Sequence, residues 1–398
     1  DRIAPGFGRF FQCSGGEIVT TTGHLSLILL STLKCNAACG YCFEHKTTDR
    51  LSLDGLCILI DKVLDYMEVK ALGALTIYWQ GGEAMLLPPG WYEQAYDLIA
   101  EAAAGRAIEV HHCLQSNLLA YSKKWNPIVA RMFDNCIGTS LDYPNLHRKL
   151  PGKSPAHYDA LWLRKVREAQ TAGIKIEVIS LPNQATLEIG AERFYSHFVD
   201  ELELTDFQIN TPFPGGALNN TKRALWATNR ERLLRFHLDL ATIWLEHGYA
   251  HGVKVGPFDA LLDYFSHRYA VLPCIWGDNC VDRLIAIDAR GHVAQCDCWV
   301  TSYPDYRFGN LFADQSLAEL LQTSTARRQF TERPIQLIQR DCIDCDYLSL
   351  GHGGCPIRTH SFHGTLFETD PYCELYKGLF KQLEQRAVRL AREAIQSG

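Results

Sequence analysis

The chain has no apolar run approaching the ~20 residues that a membrane helix needs, although 47% of its 398 residues are apolar. Nothing in it reads as a bilayer span. Its first residues, Asp1-Arg2-Ile3-Ala4, show no basic region followed by an apolar stretch, so no secretory signal is visible and a cytoplasmic location is expected. Positive charge is not in surplus either: 39 Lys and Arg face 45 Asp and Glu, a net charge of -6. A sequence-independent nucleic-acid binder needs a basic surface to displace phosphate counterions. Neither a nucleic-acid nor a membrane partner is therefore expected. Internal repeats and low-complexity stretches are also missing. What remains is the composition of a globular enzyme, too long for one ordinary core.

Cysteine, by contrast, is abundant, with 15 residues. Without a signal peptide these point to metal or redox chemistry before disulfides. Cys13, Cys57, Cys113 and Cys136 are scattered and read as small buried residues. The others fall into two groups, at 35 to 42 and at 274 to 373.

Between residues 24 and about 215, short apolar runs alternate with amphipathic ones, as in repeated βα units. The predicted strands are His24 to Leu30, Leu75 to Gln80, Val110 to Ser116, Cys136 to Leu141, Lys175 to Ser180 and Asp206 to Asn210. Ser52 to Val69 has helical spacing, with Ser52 and Asp54 as candidate caps. Six parallel strands with right-handed crossovers give an α/β fold, a partial (β/α)6 barrel with an open side. The expected division is an N-terminal segment (1–23), the barrel (24–220), a helical linker (221–270), a cysteine-rich domain (271–380) and a C-terminal helix (381–398). Lys222 to His247 reads as helical, and the tail helix is predicted over Glu374 to Ala394. The cysteine-rich part has little periodicity and is expected to fold around metal and not around an apolar core.

Cys35, Cys39 and Cys42 form C-x3-C-x2-C directly after the first strand. Three thiolates in one loop hold three irons of a 4Fe-4S cube and leave the fourth iron open. A structural zinc site would want four ligands in two pairs, so zinc fits this loop only with a distant fourth ligand. The loop resembles the signature of the radical S-adenosylmethionine (SAM) superfamily, C-x3-C-x-aromatic-C, with Tyr41 in the aromatic place. That resemblance implies SAM on the open iron and its cleavage to a 5′-deoxyadenosyl radical that takes hydrogen from a substrate. Gln80-Gly81-Gly82-Glu83 resembles the family's G-G-E, implying contact with the methionine ammonium. Gln115-Ser116-Asn117 and Ser140-Leu141-Asp142 stand where relatives have Q-T-N-G and S-[IL]-D-G. By the same resemblance Ser116 and Ser140 bind SAM, Asp142 supports the loop and Arg148 pairs with the SAM carboxylate. Tyr143 departs from the usual glycine.

The C-terminal cysteines resemble the SPASM extension of radical SAM maturases, which holds two auxiliary 4Fe-4S clusters. Cys280-x10-Gly291-x4-Cys296, preceded by Cys274 and followed by Cys342, Cys345, Cys355 and Cys373, carries the likeness. It implies a first auxiliary cluster on Cys274, Cys280, Cys296 and Cys355, and a second on Cys342, Cys345 and Cys373. The family's remaining cysteine is replaced by Gly351. An unusual ligand such as His352 or Asp344, an open iron and a degraded site all stay open as explanations. Asp297, directly after Cys296, matches the catalytic base of sulfatase-maturing relatives, while Cys298 is unexplained by the pattern.

The resemblance implies a maturase that oxidises or cross-links a peptide or protein side chain, for example as a cyclophane in a ribosomal peptide. It also implies an external reductant such as flavodoxin or ferredoxin. Only about 23 residues precede the first strand, too few for a leader-recognition domain. Leader recognition is expected to fall to a separate protein or to the barrel surface. The alternatives are a radical SAM dehydrogenase or epimerase of aminosugar type, and a non-catalytic iron-sulfur electron carrier.

Overall fold

The computed structural model describes residues 23–214, 229–268, 270, 272–276 and 280–397. Cys13, the N-terminal segment up to residue 22 and the start of the helix predicted from Lys222 lie outside the described residues. The parallel strands are β1 (Gly23–Thr32), β2 (Leu72–Gly81), β3 (Glu109–Leu114), β4 (Cys136–Ser140), β5 (Lys175–Ser180) and β6 (Asp206–Ile209). Helices alternate with them: α1 (Leu53–Val69), α2 (Pro89–Ala103), α3 (Asn126–Met132), α4 (Pro155–Thr171) and α5 (Gln184–Ser196). The expected α/β partial barrel is present. Its strands read as apolar runs because both faces are covered, the inner by packed side chains and the outer by helices. In β1, Leu25 to Leu30 are all buried. Ser52 caps α1 as expected, its hydroxyl accepting from the Gly55 amide at 3.0 Å.

Two further strands lengthen the wall beyond the six expected. Residues 221–270, read as a helical linker, contribute α6 (Arg230–His247), then β7 (Lys254–Gly256), which pairs parallel with β6, and α7 (Phe258–Phe265). Three residues are too short a run for a period to show. From the cysteine-rich region, β8 (Leu284–Asp288) pairs parallel with β1, placing Leu27 opposite Ile285. β9 (His292–Ala294) then turns back antiparallel on β8. Within the wall, β3 and β4 are joined by a bridge between Gln115 and Gly138.

The C-terminal region also corrects an expectation, because its apolar side chains join the continuous core that runs through the barrel. Trp299 on α8 (Asp297–Ser302) is fully buried against Phe330 of α10 (Thr325–Leu337), with Leu317 and Leu320 of α9 (Leu317–Thr323) also buried. These side chains come from short elements far apart in sequence, so no periodic pattern announces them. α11 (Leu348–Gly351), α12 (Pro356–His363) and α13 (Cys373–Ser397) complete the chain. Among the described residues, no helix is long and apolar enough to cross a membrane.

Candidate active site

A cavity of about 420 Å³ opens where the barrel strands end and the C-terminal region closes over them. Cys35, Cys39 and Cys42 line it on the loop after β1. That loop is pinned by the Ala38 amide on the Lys149 carbonyl (2.7 Å), the Gly40 amide on the His147 carbonyl (2.9 Å) and the Lys46 ammonium on the Ala37 carbonyl (2.6 Å). Burial pushes the Cys35 thiol up to about 11, with Lys46 opposing, and raises Cys42 as well. Dry thiols of this kind lose their protons when a metal replaces them. All described cysteines are free of disulfides. The donor set therefore fits an iron-sulfur cluster.

Gly81 and Gly82 serve a backbone crossing. A Cβ on Gly81 would sit 2.1 Å from the Thr32 carbonyl oxygen, and one on Gly82 would sit 2.5 Å from that of Lys34. The glycine pair thus lets the end of β2 pass against the cluster loop. Glu83 is buried, and one of its oxygens accepts from Ser116 Oγ (2.6 Å) and the Met85 amide (2.8 Å), the other from the Asn117 amide (2.7 Å). It locks the ends of β2 and β3 together while lining the cavity. Ser140 Oγ lines the same wall and accepts from Gln115 Nε2 at 3.0 Å.

Arg148, expected to reach the SAM carboxylate, lies at the cavity wall in an ion pair with buried Asp142, its Nε donating at 3.0 Å. Tyr41 donates its hydroxyl to the same carboxylate, and the Leu181 amide adds a further bond at 3.1 Å. Asp142 therefore supports the loop, and the Arg148 charge is already countered. Tyr143 stacks its ring on His197, with centroids 3.5 Å apart.

The C-terminal cysteines separate into two groups. Cys274, Cys280, Cys296 and Cys355 line the cavity. Burial pushes the Cys274 thiol up, and Cys355, Cys280 and Cys296 push it further, which places the four side by side. Cys342, Cys345 and Cys373 form the other group away from the cavity wall, linked by the effect of Cys345 on Cys342 and of Cys342 on Cys373. Between the groups, buried Asp370 pairs with Arg358 and accepts from the Cys355 amide at 2.8 Å. A Cβ on Gly351 would meet only a Phe380 ring carbon at 3.7 Å, so space is not the reason for the missing thiol. His352 lines the large cavity and Asp344 is exposed.

Asp297 begins α8 and projects into the cavity, where it accepts from Gln80 Nε2 at the end of β2 and from the Cys298 amide, both at 2.9 Å. Burial raises its carboxyl above the ordinary range. The Gln80 bond ties the C-terminal region to the barrel at the point where the two cysteine systems meet. The ligand atoms of Cys296, Asp297 and Cys298 lie within 4.8 Å of one another. Cys298 is thus at the cavity and not at the second auxiliary group. Sequence reasoning passed over Glu44, which also lines the cavity; an acidic residue two places after Cys42 in an apolar loop was the available signal.

Residues 274–346 match the SPASM model, an iron-sulfur cluster-binding domain. The cysteine-type anaerobic sulfatase-maturating enzyme of Clostridium perfringens is 23% identical over 376 residues, covering 92% of this chain and 97% of that protein. Over the whole architecture, the solved structure of native anSMEcpe with bound AdoMet and Cp18Cys peptide superposes with a TM-score of 0.77 at 21% identity, covering 93% of this chain and 99% of that one. The chain thus carries a SPASM-type iron-sulfur domain on the fold of that structure. The serine-type sulfatase-maturating enzyme of Bacteroides thetaiotaomicron is 21% identical over 350 residues, covering 81% of this chain and 80% of that protein. Streptococcus suis SuiB bound to precursor peptide SuiA shares the fold with a TM-score of 0.55 at 14% identity, covering 89% and 76% of the two chains.

Proposed function

We propose that this protein is a radical SAM enzyme that modifies a peptide or protein side chain, of the general type of the sulfatase maturases. The observation that carries the reading is the Gln80–Asp297 bond, which sets a carboxyl of the SPASM domain in the same cavity as the Cys35, Cys39 and Cys42 loop. An electron carrier needs no cavity of this kind. Cys35, Cys39 and Cys42 would hold a 4Fe-4S cluster that with SAM would supply a 5′-deoxyadenosyl radical, and auxiliary clusters held by the C-terminal cysteines would accept the second electron lost by the substrate.

The chain's own residues supply the rest. Glu83, Ser116, Ser140 and Arg148 line the side of the cavity that would receive SAM. Asp297 faces the substrate and takes a proton from the target group on its carboxylate while hydrogen leaves the neighbouring carbon. Gln80 holds that carboxylate toward the cavity. The net change is the loss of two hydrogens, as an oxidised side chain or, in the finer reading, a cross-link such as a cyclophane. The peptides bound in the similar structures of anSMEcpe and SuiB support a peptide as the substrate.

The test is anaerobic reconstitution followed by reduction in the presence of SAM. Formation of 5′-deoxyadenosine is expected; its absence at full iron and sulfide loading would falsify the proposal. Tandem mass spectrometry of a modified peptide separates an oxidised residue from a cross-link.

A further inference from the structure

Arg333 is a buried guanidinium that the proposed chemistry does not use. It stands on α10, is 4% exposed and lines the cavity together with Cys280, Cys296 and Cys355. Its Nε donates to the Leu366 carbonyl (2.8 Å), and one terminal nitrogen is shared among the Gly353 carbonyl (3.0 Å), Thr359 Oγ1 (3.3 Å) and the Glu368 carbonyl (3.3 Å). These acceptors are neutral, and among the described ion pairs none contains Arg333. Buried Asp370 is already occupied: one oxygen takes Arg358 and the Cys355 amide, the other the Tyr372 amide. Arg333, Arg358 and Asp370 together therefore leave one positive charge without a carboxylate.

That charge stands between the two auxiliary cysteine groups. Thr359, which accepts from it, donates in turn to the Cys355 carbonyl at 3.1 Å, and a Cβ on Gly353, whose carbonyl it holds, would sit 3.6 Å from Cys342 Sγ. Its field favours the thiolate of Cys280 in one group and of Cys342 and Cys373 in the other, against the upward push of burial. Cys35 and Cys42, on the loop after β1, feel Lys46 instead. A buried charge without a counterion is costly, and thiolate-bound iron on both sides would supply one. An iron-sulfur group that gains an electron gains a unit of negative charge, so a fixed positive charge beside it favours the reduced form and raises the midpoint potential.

We propose that Arg333 tunes the auxiliary clusters: its uncompensated charge raises their midpoint potential, so that they take the single electron that the substrate radical loses as its proton passes to Asp297. The inference rests on the radical reading above and adds the residue that sets the direction of electron flow.

The full chain is reconstituted anaerobically as wild type, Arg333→Gln and Arg333→Lys, and each is titrated potentiometrically with SAM present, which marks the electron paramagnetic resonance signal of the cluster that binds it. Arg333→Gln removes the charge and keeps N–H donors. It is expected to lower the auxiliary midpoint by about 59 mV or more, an about tenfold change in the ratio of reduced to oxidised cluster. Arg333→Lys keeps the charge and is expected to retain most of the wild-type potential, and the cluster on Cys35, Cys39 and Cys42 should titrate unchanged in all three. An unchanged auxiliary potential in Arg333→Gln, an equal drop in Arg333→Lys, or an equal shift of the SAM-binding cluster overturns the inference. Loss of auxiliary iron from either variant overturns it too, because Arg333 would then be a structural strut. Formation of 5′-deoxyadenosine is measured on the same wild-type preparation; its absence sinks the radical reading, which the auxiliary potentials do not test.

Discussion

Asp297 is positioned by two bonds of different origin, a local one from the Cys298 amide and a long-range one from Gln80. Replacing Asp297 with Ala removes the proton acceptor but leaves the cluster loop untouched. Peptide product is expected to fall by about a hundredfold or more, while SAM cleavage continues; liquid chromatography of 5′-deoxyadenosine and peptide in one reaction checks both. Gly82 and Gly351 illustrate opposite consequences of adding a side chain. Gly82→Ala would drive a Cβ into the backbone of residues 33 and 34, whereas Gly351→Cys meets only Phe380. We expect Gly82→Ala to lose iron from the loop and about 2–4 kcal/mol of stability. Gly351→Cys should fold normally and restore a four-thiol group with Cys342, Cys345 and Cys373, seen as more iron bound per chain. Cys35, Cys39, Cys42 and Asp297, which line the cavity, stood out in the sequence because their spacing is local. Glu44 and Gln80 were not read as partners of Asp297, since 253 and 217 residues separate each from it.

At the scale of elements, the strands and α1 were legible and their ends shifted by only a residue or a few. β5 coincides with Lys175 to Ser180, and β1 extends the predicted run by one residue at its start and by two at its end. A buried parallel strand writes its position as an apolar run, and a capped helix announces its start. Ser316 caps α9, its hydroxyl accepting from the Glu319 amide at 3.2 Å while the Glu319 carboxylate returns to the Ser316 amide at 2.9 Å. Ser316→Ala is expected to cost about 1 kcal/mol, read by chemical denaturation. The buried Arg358–Asp370 pair holds the backbone between the two auxiliary groups. Asp370→Ala strands a buried guanidinium and frees the Cys355 amide, so a loss of about 3–5 kcal/mol and of auxiliary iron is expected. Neither residue stood out in the sequence, because a charge pair twelve residues apart has no periodic signature.

The molecule as a whole joins its barrel and C-terminal region through β8 on β1 and through the cavity between them. Burial holds three histidines in this body neutral: His24 and His237 titrate near 4, and His112 near 3. The unfolded chain takes up those protons near 6.5. Between pH 6.5 and about 4 it therefore binds more protons than the folded chain, and stability falls as pH falls through that window, by up to about 1.4 kcal/mol per unit for each histidine. The melting temperature should drop from about pH 7 to 5, and His237→Gln should reduce the slope. The sequence by itself determined the cysteine spacing and the parallel strands of the barrel, since both are written in neighbouring residues. Only the tertiary structure decided that β8 extends the barrel wall and that Asp297 and Glu44 line one cavity. These arrangements depend on packing between segments that the chain's linear pattern leaves unconnected.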